Sequence, residues 1–345
     1  VSSARTTAKA AAKTTAADDS RRHWASIDEV SFVAGMRFLF WICRMFGRWP
    51  FRVALYPVLA WYLLTQGRAR RASRDYLRRV RAHTGKPVAG VLAHFACFGE
   101  NLLDKLLLWG GLYRLDGVQF HGADVIEEAI ARRTGGVLVC SHLGNVELTR
   151  LLSRQRDDIK STVLVHTKHA QAFNRLMGKL NPESQTNLLQ VTEMTPATAM
   201  MLSERIGRGE FVVIAGDRVP VTGNEHVATA DFMGEPAPFP VGPYLLAGIL
   251  QCPVYLLFTV RVNGVTEVHI ERFRDGVRLP RKGRTEALAA MAQGYAARLE
   301  HHAARAPLQW FNFYDFWHLP DAGPGQHDTQ KRTQEELQEN HDATR

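Results

Sequence analysis

Residues 135–147 read Gly-Gly-Val-Leu-Val-Cys-Ser-His-Leu-Gly-Asn-Val-Glu. Two glycines open a continuous apolar run too short for a helix, which predicts a strand buried on both faces. The chain then turns at Gly144, and NVELTRLLSR (145–154) has the spacing of a helix. The same alternation recurs downstream. STVLVH (161–166), TNLLQV (186–191) and FVVIAGD (211–217) read as strands, and HAQAFNRLMGKL (169–180) as a helix. In TPATAMMLSERIGRG (195–209), Thr195 supplies a cap and Pro196 the first helical position. PYLLAGILQ (243–251) predicts a helix, PVYLLFTVRV (253–262) and TEVHIERF (266–273) two neighbouring strands, and residues 285–306 a long late helix. Strands alternating with helices define an α/β domain with a mostly parallel central sheet flanked by helices.

Upstream of that pattern the chain changes character. FVAGMRFLFWICRMFG (32–47) and VALYPVLAWYLL (53–64) are apolar and Trp-rich, the second interrupted by Pro57. Each is shorter than the ~18–20 residues that usually span a bilayer. They read as buried core helices or as helices lying in a membrane face, with Trp24, Trp41, Trp49 and Trp61 at the interface, or as one tilted span. The expected organisation is a disordered leader over 1–23, an N-terminal helical membrane-associating region over 24–84, an α/β domain over 85–320 and a flexible tail over 321–345. The leader is Ala/Thr/Lys-rich and lacks the apolar core of a secretion signal.

Charge narrows the partners. Forty-three Lys+Arg against 34 Asp+Glu give a formal charge of +9. Arginines crowd beside the Trp-rich segment, at Arg44, Arg48 and Arg52 and then through Arg68–Arg81. Basic charge next to apolar surface suits a membrane interface. No zinc-finger, helix-turn-helix or RNA-binding signature is present, so nucleic acid is not the expected partner. The four cysteines are far apart in apolar runs and read as buried free thiols; no H-E-x-x-H or C-x-x-C spacing calls for a metal, and no cofactor is expected.

The chemistry centres on His142, where strand 136–140 ends. In open α/β sheets ligands gather beyond the carboxyl ends of the strands. Glu147 follows five residues later, one turn into the expected helix, and a carboxylate bonded to one ring nitrogen leaves the other free as a base. Gly144 permits a tight turn or close approach of substrate. Spacing alone is a weak signal, since a capping histidine beside a solvated glutamate looks the same.

Six ordered blocks strengthen it. SHLGNVE resembles the H-x4-D/E block of glycerolipid-type acyltransferases, in the S-H-x-G-N-x-E form of the lipid A late acyltransferase branch. ARRASRDYLRRV (69–80), VHTKHAQAFNRLM (165–177), FVVIAGDRVPV (211–221), FMGEPAPFPVGPYLLA (232–247) and QWFNFYDFW (309–317) resemble the branch's other blocks in order. The sequence departs from the branch at His166-Thr167-Lys168 and Asp217-Arg218, which leaves the acceptor open.

The resemblance implies a glycerolipid acyltransferase-like fold. It also implies transfer of an acyl group from an acyl carrier protein or coenzyme A thioester to a hydroxyl or amine of a lipid or glycolipid, at the cytoplasmic face of the inner membrane. His142 is the expected general base and Glu147 its orienting partner. Backbone N–H groups of Gly144, Asn145 and Val146, with Lys168 and Arg218, are candidates to steady the oxyanion. Asp217 holds Arg218 or an acceptor polar group, or is a turn residue. FMGEPAPFPVGPY is expected as an ordered loop lining the acyl channel or covering the site, with Phe239 against the substrate, or else as a rigid connection between a strand and the helix beginning near Pro243. His94 and Glu100 read as structural polar residues. A non-catalytic lipid-binding scaffold retaining the fold is the competing reading, and the pair His142/Glu147 speaks against it.

Overall fold

The computed structural model describes residues 38, 41–109, 111–113, 117–148, 159–165, 187–190, 194–219 and 226–318. The leader, the tail, Trp24, Lys168 and the expected helix 169–180 lie outside them. Seven strands form one sheet: β1 (Val118–His121), β2 (Gly136–Cys140), β3 (Ser161–Val165), β4 (Asn187–Gln190), β5 (Phe211–Ala215), β8 (Val254–Val262) and β9 (Val265–Arg274). Their order is β1-β9-β8-β2-β5-β3-β4. All neighbours are parallel except β8 and β9, which are joined as an antiparallel hairpin. The expected mostly parallel sheet is therefore present, and β2 lies at its centre with every residue buried.

Helices α1 (Trp49–Thr65), α2 (Gly67–Thr84), α3 (Val91–Trp109), α4 (Ala123–Ala131), α5 (Pro196–Gly207), α6 (Gly242–Leu250) and α7 (Arg284–Arg305) surround it. Thr195 caps α5 as its sequence predicts, its hydroxyl accepting from the Thr198 N–H at 3.1 Å. On one face of the sheet, Leu288, Ala292, Tyr295 and Leu299 of α7 and Tyr244 of α6 join alternate residues of β2, β5 and β8. The other face packs Ile126 and Ala129 of α4 against Leu138, Val213 and Leu257.

Three features differ from the sequence reading. Pro57 does not interrupt α1, which runs through it with Pro57 on an exposed side. FMGEPAPFPVGPY is not a loop but the antiparallel ribbon β6 (Val227–Phe232) and β7 (Glu235–Pro240) followed by the first turn of α6. Pro236, Pro238 and Pro240 alternate along β7, which an outer strand tolerates because alternate N–H groups have no ladder partner there. Of the four cysteines, Cys140 and Cys252 are buried while Cys43 and Cys97 are only half-buried; burial pushes the Cys140 thiol up to about 12.

Helix α1 is shorter than a span. Seventeen residues at 1.5 Å each reach about 26 Å, and among the described residues no helix is long and apolar enough to cross a membrane. Gly99 of α3 brings the two helices together: a Cβ there would come within 2.6 Å of Leu55. Arg48 and Arg52 add ion pairs to Asp104 and Glu100. Leu59 is the one buried residue of α1. Trp49, Val53, Tyr56, Val58, Trp61 and Leu64 are exposed, and so are Phe38, Trp41, Met45 and Phe46 just before it.

Candidate active site

Parallel register builds the site. Cys140 of β2 pairs with Ala215 of β5, so residues two beyond each strand, His142 and Asp217, leave the sheet side by side. The Asp217 carboxylate accepts the His142 ring Nδ1–H at 2.8 Å through Oδ1 and the His142 backbone N–H at 2.7 Å through Oδ2. A third donor, Trp310 Nε1–H, reaches Oδ2 at 2.9 Å. The Asp217 side chain is fully buried, whereas that of His142 is 34% exposed. Burial alone would raise Asp217. The positive charge and hydrogen bonds of His142, with the Trp310 bond, outweigh it and hold the carboxyl below its ordinary range. In the neutral ring, an ionised acceptor at Nδ1 selects the tautomer with its proton there, which leaves the Nε2 lone pair bare.

The carboxylate on the ring is thus Asp217 and not Glu147. Val146–Leu148 forms a single 3-10 turn, with the Glu147 N–H donating to Asn145 Oδ1 at 3.2 Å; residues 149–158 lie outside the described part. Gly144 adopts φ +60°, and a Cβ there would come within 2.2 Å of the Thr259 carbonyl oxygen. Its glycine serves the turn against β8. Its N–H is occupied by Gln309 O at 2.8 Å and is no oxyanion donor. Asn145 is buried, with Nδ2 unpartnered among the described residues, and lines a small polar cavity with Glu100, Asp104 and Arg261.

The segment 309–312 straps the site from outside. Phe311 N–H donates to His142 O at 3.0 Å, and Asn312 Nδ2 to Asp217 O at 3.4 Å. Trp310 is itself held from below: His94 Nε2 lies 3.0 Å from its carbonyl, and His94 Nδ1 lies 2.9 Å from Ser73 Oγ. Tyr76 stacks edge-on at 4.9 Å. Burial depresses His94 to about 4, partly offset by its bond to Trp310. His94 is thus a neutral structural histidine, and Glu100 pairs instead with Arg48 and Arg52.

Beyond Asp217 opens a cavity of about 550 Å³. Leu164 and Ile214, near the ends of β3 and β5, line it with Leu245, Leu246 and Leu288, and Arg218 and Arg284 are the cations among its described lining residues. Pro240, Val241, Gly242 and Pro243 form part of the wall. Phe239 does not: it is fully buried, packed on Phe232, Phe316 and Tyr295 at 5.5, 5.2 and 6.1 Å between ring centroids. Its expected substrate contact is replaced by a core role, because the ribbon packs Phe239 into the aromatic cluster of Phe232, Phe316 and Tyr295. Trp310 and Asn312 are site residues that the sequence reading missed, although QWFNFYDFW was among its matched blocks.

One mixed histidine–carboxylate group lies elsewhere. His121 faces His269 across the β1/β9 register, with Glu267 close by. Arg305 already donates to Glu267 at 2.7 Å.

Fold and site together define an α/β protein with a histidine–carboxylate centre at the strand ends beside an apolar chamber. The chain belongs to the bacterial lipid A biosynthesis acyltransferase family, whose model matches residues 113–318. That span holds His142, Asp217 and Trp310. Among characterised proteins, the chain is similar to the phosphatidylinositol mannoside acyltransferases of two Mycobacterium tuberculosis strains. It is 27% and 26% identical to them over 200 residues, covering 57% of this chain and 58% of each relative.

Proposed function

We propose that the protein transfers an acyl group from a thioester to a hydroxyl of a glycolipid acceptor at a membrane surface. The observation that carries this is the His142–Asp217 pair, whose other ring nitrogen has no hydrogen-bond partner among the described residues, one strand away from the apolar cavity. Neighbouring strands are about 4.8 Å apart, so a chain lying in the cavity can bring its carbonyl to the ring.

In this reading the acyl chain occupies the cavity with its thioester carbonyl near His142. The acceptor hydroxyl adds to that carbon as Nε2 takes its proton. The new C–O bond forms, the oxyanion collapses, the C–S bond breaks, and the imidazolium returns the proton to the leaving thiolate. Asp217 stabilises the imidazolium. Arg218, beside Asp217 and on the cavity wall, supplies positive charge to the oxyanion. No covalent enzyme intermediate is needed.

The acceptor assignment is supported by the name of the mycobacterial relatives, whose substrate is a glycolipid. Association with a bilayer is supported by the exposed aromatic and aliphatic residues of 38–64. That surface suits helices lying on the membrane.

The test is transfer from a labelled acyl thioester to a glycolipid extract. His142→Ala is expected to abolish transfer with the far-ultraviolet spectrum unchanged and a melting transition that is lowered, because Asp217 loses its ring partner, but still cooperative. Near-normal transfer by the purified variant rejects His142 as the base. Absence of turnover by the native chain with every thioester favours a lipid-binding scaffold.

A further inference from the structure

Away from the catalytic pair, three side chains with metal-binding chemistry meet at the edge of the sheet. Burial alternates along β9, and Glu267, His269 and Glu271 share the face on which Arg298, His302 and Arg305 of α7 lie. Parallel register sets His121, the last residue of β1, directly beside His269. The two imidazoles stack with centroids 4.5 Å apart and planes 9° from parallel. His121 is exposed, whereas Glu267 and His269 are half-buried. One ligand atom from each of the three lies within 4.8 Å of the others.

That spacing is close to what a metal ion requires. Zinc bonds histidine nitrogen and carboxylate oxygen at about 2.0–2.2 Å, so tetrahedral ligand atoms stand roughly 3.3 Å apart. His269 Nε2 and Glu267 Oε2 are 2.8 Å apart and need only open slightly. His121, exposed at the edge, can close the rest by rotating its side chain. Two imidazoles and a carboxylate are the set that borderline divalent ions take, and the exposure of His121 admits water as a fourth ligand. A cation is already drawn to this point. Arg305, the last residue of α7, donates to Glu267 Oε2 at 2.7 Å, and its other terminal nitrogen lies 3.3 Å from His269 Nε2. Its side chain is one-third exposed at a helix end, so it can swing into solvent and leave the carboxylate to another cation.

We propose that His121, Glu267 and His269 bind a divalent transition-metal ion such as zinc, in competition with Arg305, and that the ion ties the edge strand β1 to β9. Local spacing hides this group, because two of its members sit two apart on one strand and the third comes from another. Strand β8 separates β9 from β2, so the site stands apart from His142 and is independent of the acyl-transfer reading.

The experiment titrates zinc calorimetrically into the full, chelator-treated chain without a histidine tag. His121→Phe keeps a ring on the stack and removes one ligand, Glu267→Gln removes the carboxylate, and Arg305→Gln removes the competing cation. The expected result is one zinc per chain, with affinity falling at least 10- to 100-fold in either ligand variant, no less than the loss of an outer-shell partner causes. Affinity rises about two- to fivefold in Arg305→Gln, the weight of an exposed ion pair. Zinc also slows hydrogen exchange at Val118–His121 of the native chain and not of His121→Phe. No saturable binding, or binding that survives both ligand substitutions, would mark adventitious zinc on the chain's other histidines and overturn the proposal. Weaker binding by Arg305→Gln than by the native chain, or exchange in β1 that zinc leaves unchanged, would overturn it as well.

Discussion

Asp217→Asn tests the centre most sharply, because one carboxylate serves three donors. His142 N–H and Trp310 Nε1–H converge on Oδ2, and the ring Nδ1–H meets Oδ1. An asparagine offers one acceptor oxygen and one amide NH2. With the oxygen at the Oδ2 position two donors stay satisfied, and the NH2 then faces Nδ1. Two donors cannot share a 2.8 Å contact, so the ring must shift its proton to Nε2, the nitrogen that has to be bare to act as base. Wrong-tautomer histidine centres lose on the order of 10³–10⁴ in rate, or about 4–5.5 kcal/mol of transition-state stabilisation. The fold loses much less, since relief of carboxylate burial offsets part of the ionic hydrogen bonding. Asp217 also has a pH signature: its folded pKa is lowered, so its stabilisation is present above the ordinary carboxylate range and disappears as pH falls through the folded value. The variant should lack that acid-limb loss. Turnover from a labelled thioester gives the rate, and nitrogen-15 spectra of the ring give the tautomer. Transfer within about tenfold of the native rate, or an inactive variant whose Nδ1 still carries the proton, would refute the argument.

Other consequences are as direct. Gly144→Ala combines positive φ with the 2.2 Å approach to Thr259 O and should cost about 3 kcal/mol or more. Gly85→Ala, at φ +67° with open space, should cost only ~1–2 kcal/mol; equal melting losses would show that the contact with β8 is not what fixes Gly144. His94 titrates near 4 when folded and near 6.5 when unfolded. The unfolded chain therefore binds the extra proton between those values, and stability complete above pH 6.5 falls towards pH 4. Between pH 7.5 and 5 the loss is about 2 kcal/mol, and denaturant titrations of His94→Gln should lack that slope. Replacing Trp49, Val53 and Trp61 by serine should cut flotation with anionic vesicles by roughly tenfold or more, given the apolar area removed; unchanged flotation rejects α1 as the membrane face.

Much of the sheet was legible because its central strands are buried on both faces. GVLVC, FVVIA and VYLLFTVRV announce themselves as apolar runs, and STVLV does so although only alternate residues are fully buried. The strand VQFH was not legible: it is four residues at the sheet edge with alternating burial, too little signal for a period. The β6–β7 ribbon was hidden by its prolines, which read as a loop when no partner strand is known. Glu147 illustrates a different limit. Proximity in sequence made it the natural partner for His142, but partnership is settled by register, and register pairs β2 with β5 across 75 residues. A signal did exist: in Cys-Ser-His and Ala-Gly-Asp alike, a polar residue stands two places beyond a five-residue apolar strand, so parallel pairing brings the two together.

The same logic explains why the matched blocks are so far apart in sequence. Ser73 and Tyr76 of α2 and His94 of α3 contact the 310 position by hydrogen bond, through His94, or by ring packing. Trp310 in turn donates to Asp217, which holds His142. Phe232 of the ribbon packs on Trp310 at 5.2 Å. Four of the six blocks therefore converge on one indole, and the catalytic pair's geometry depends on it. Removing the indole N–H by Trp310→Phe should leave the fully buried Asp217 carboxylate one donor short, raising its pKa. With the carboxyl less firmly ionised, the imidazolium of the transition state is less stabilised. Transfer should fall roughly 10- to 100-fold, the weight of one charge-assisted bond of ~1.5–3 kcal/mol, with a smaller loss for His142 position than Asp217→Asn causes. A Trp310→Phe variant that transfers at the native rate would mean that the strap packs against the centre without tuning it.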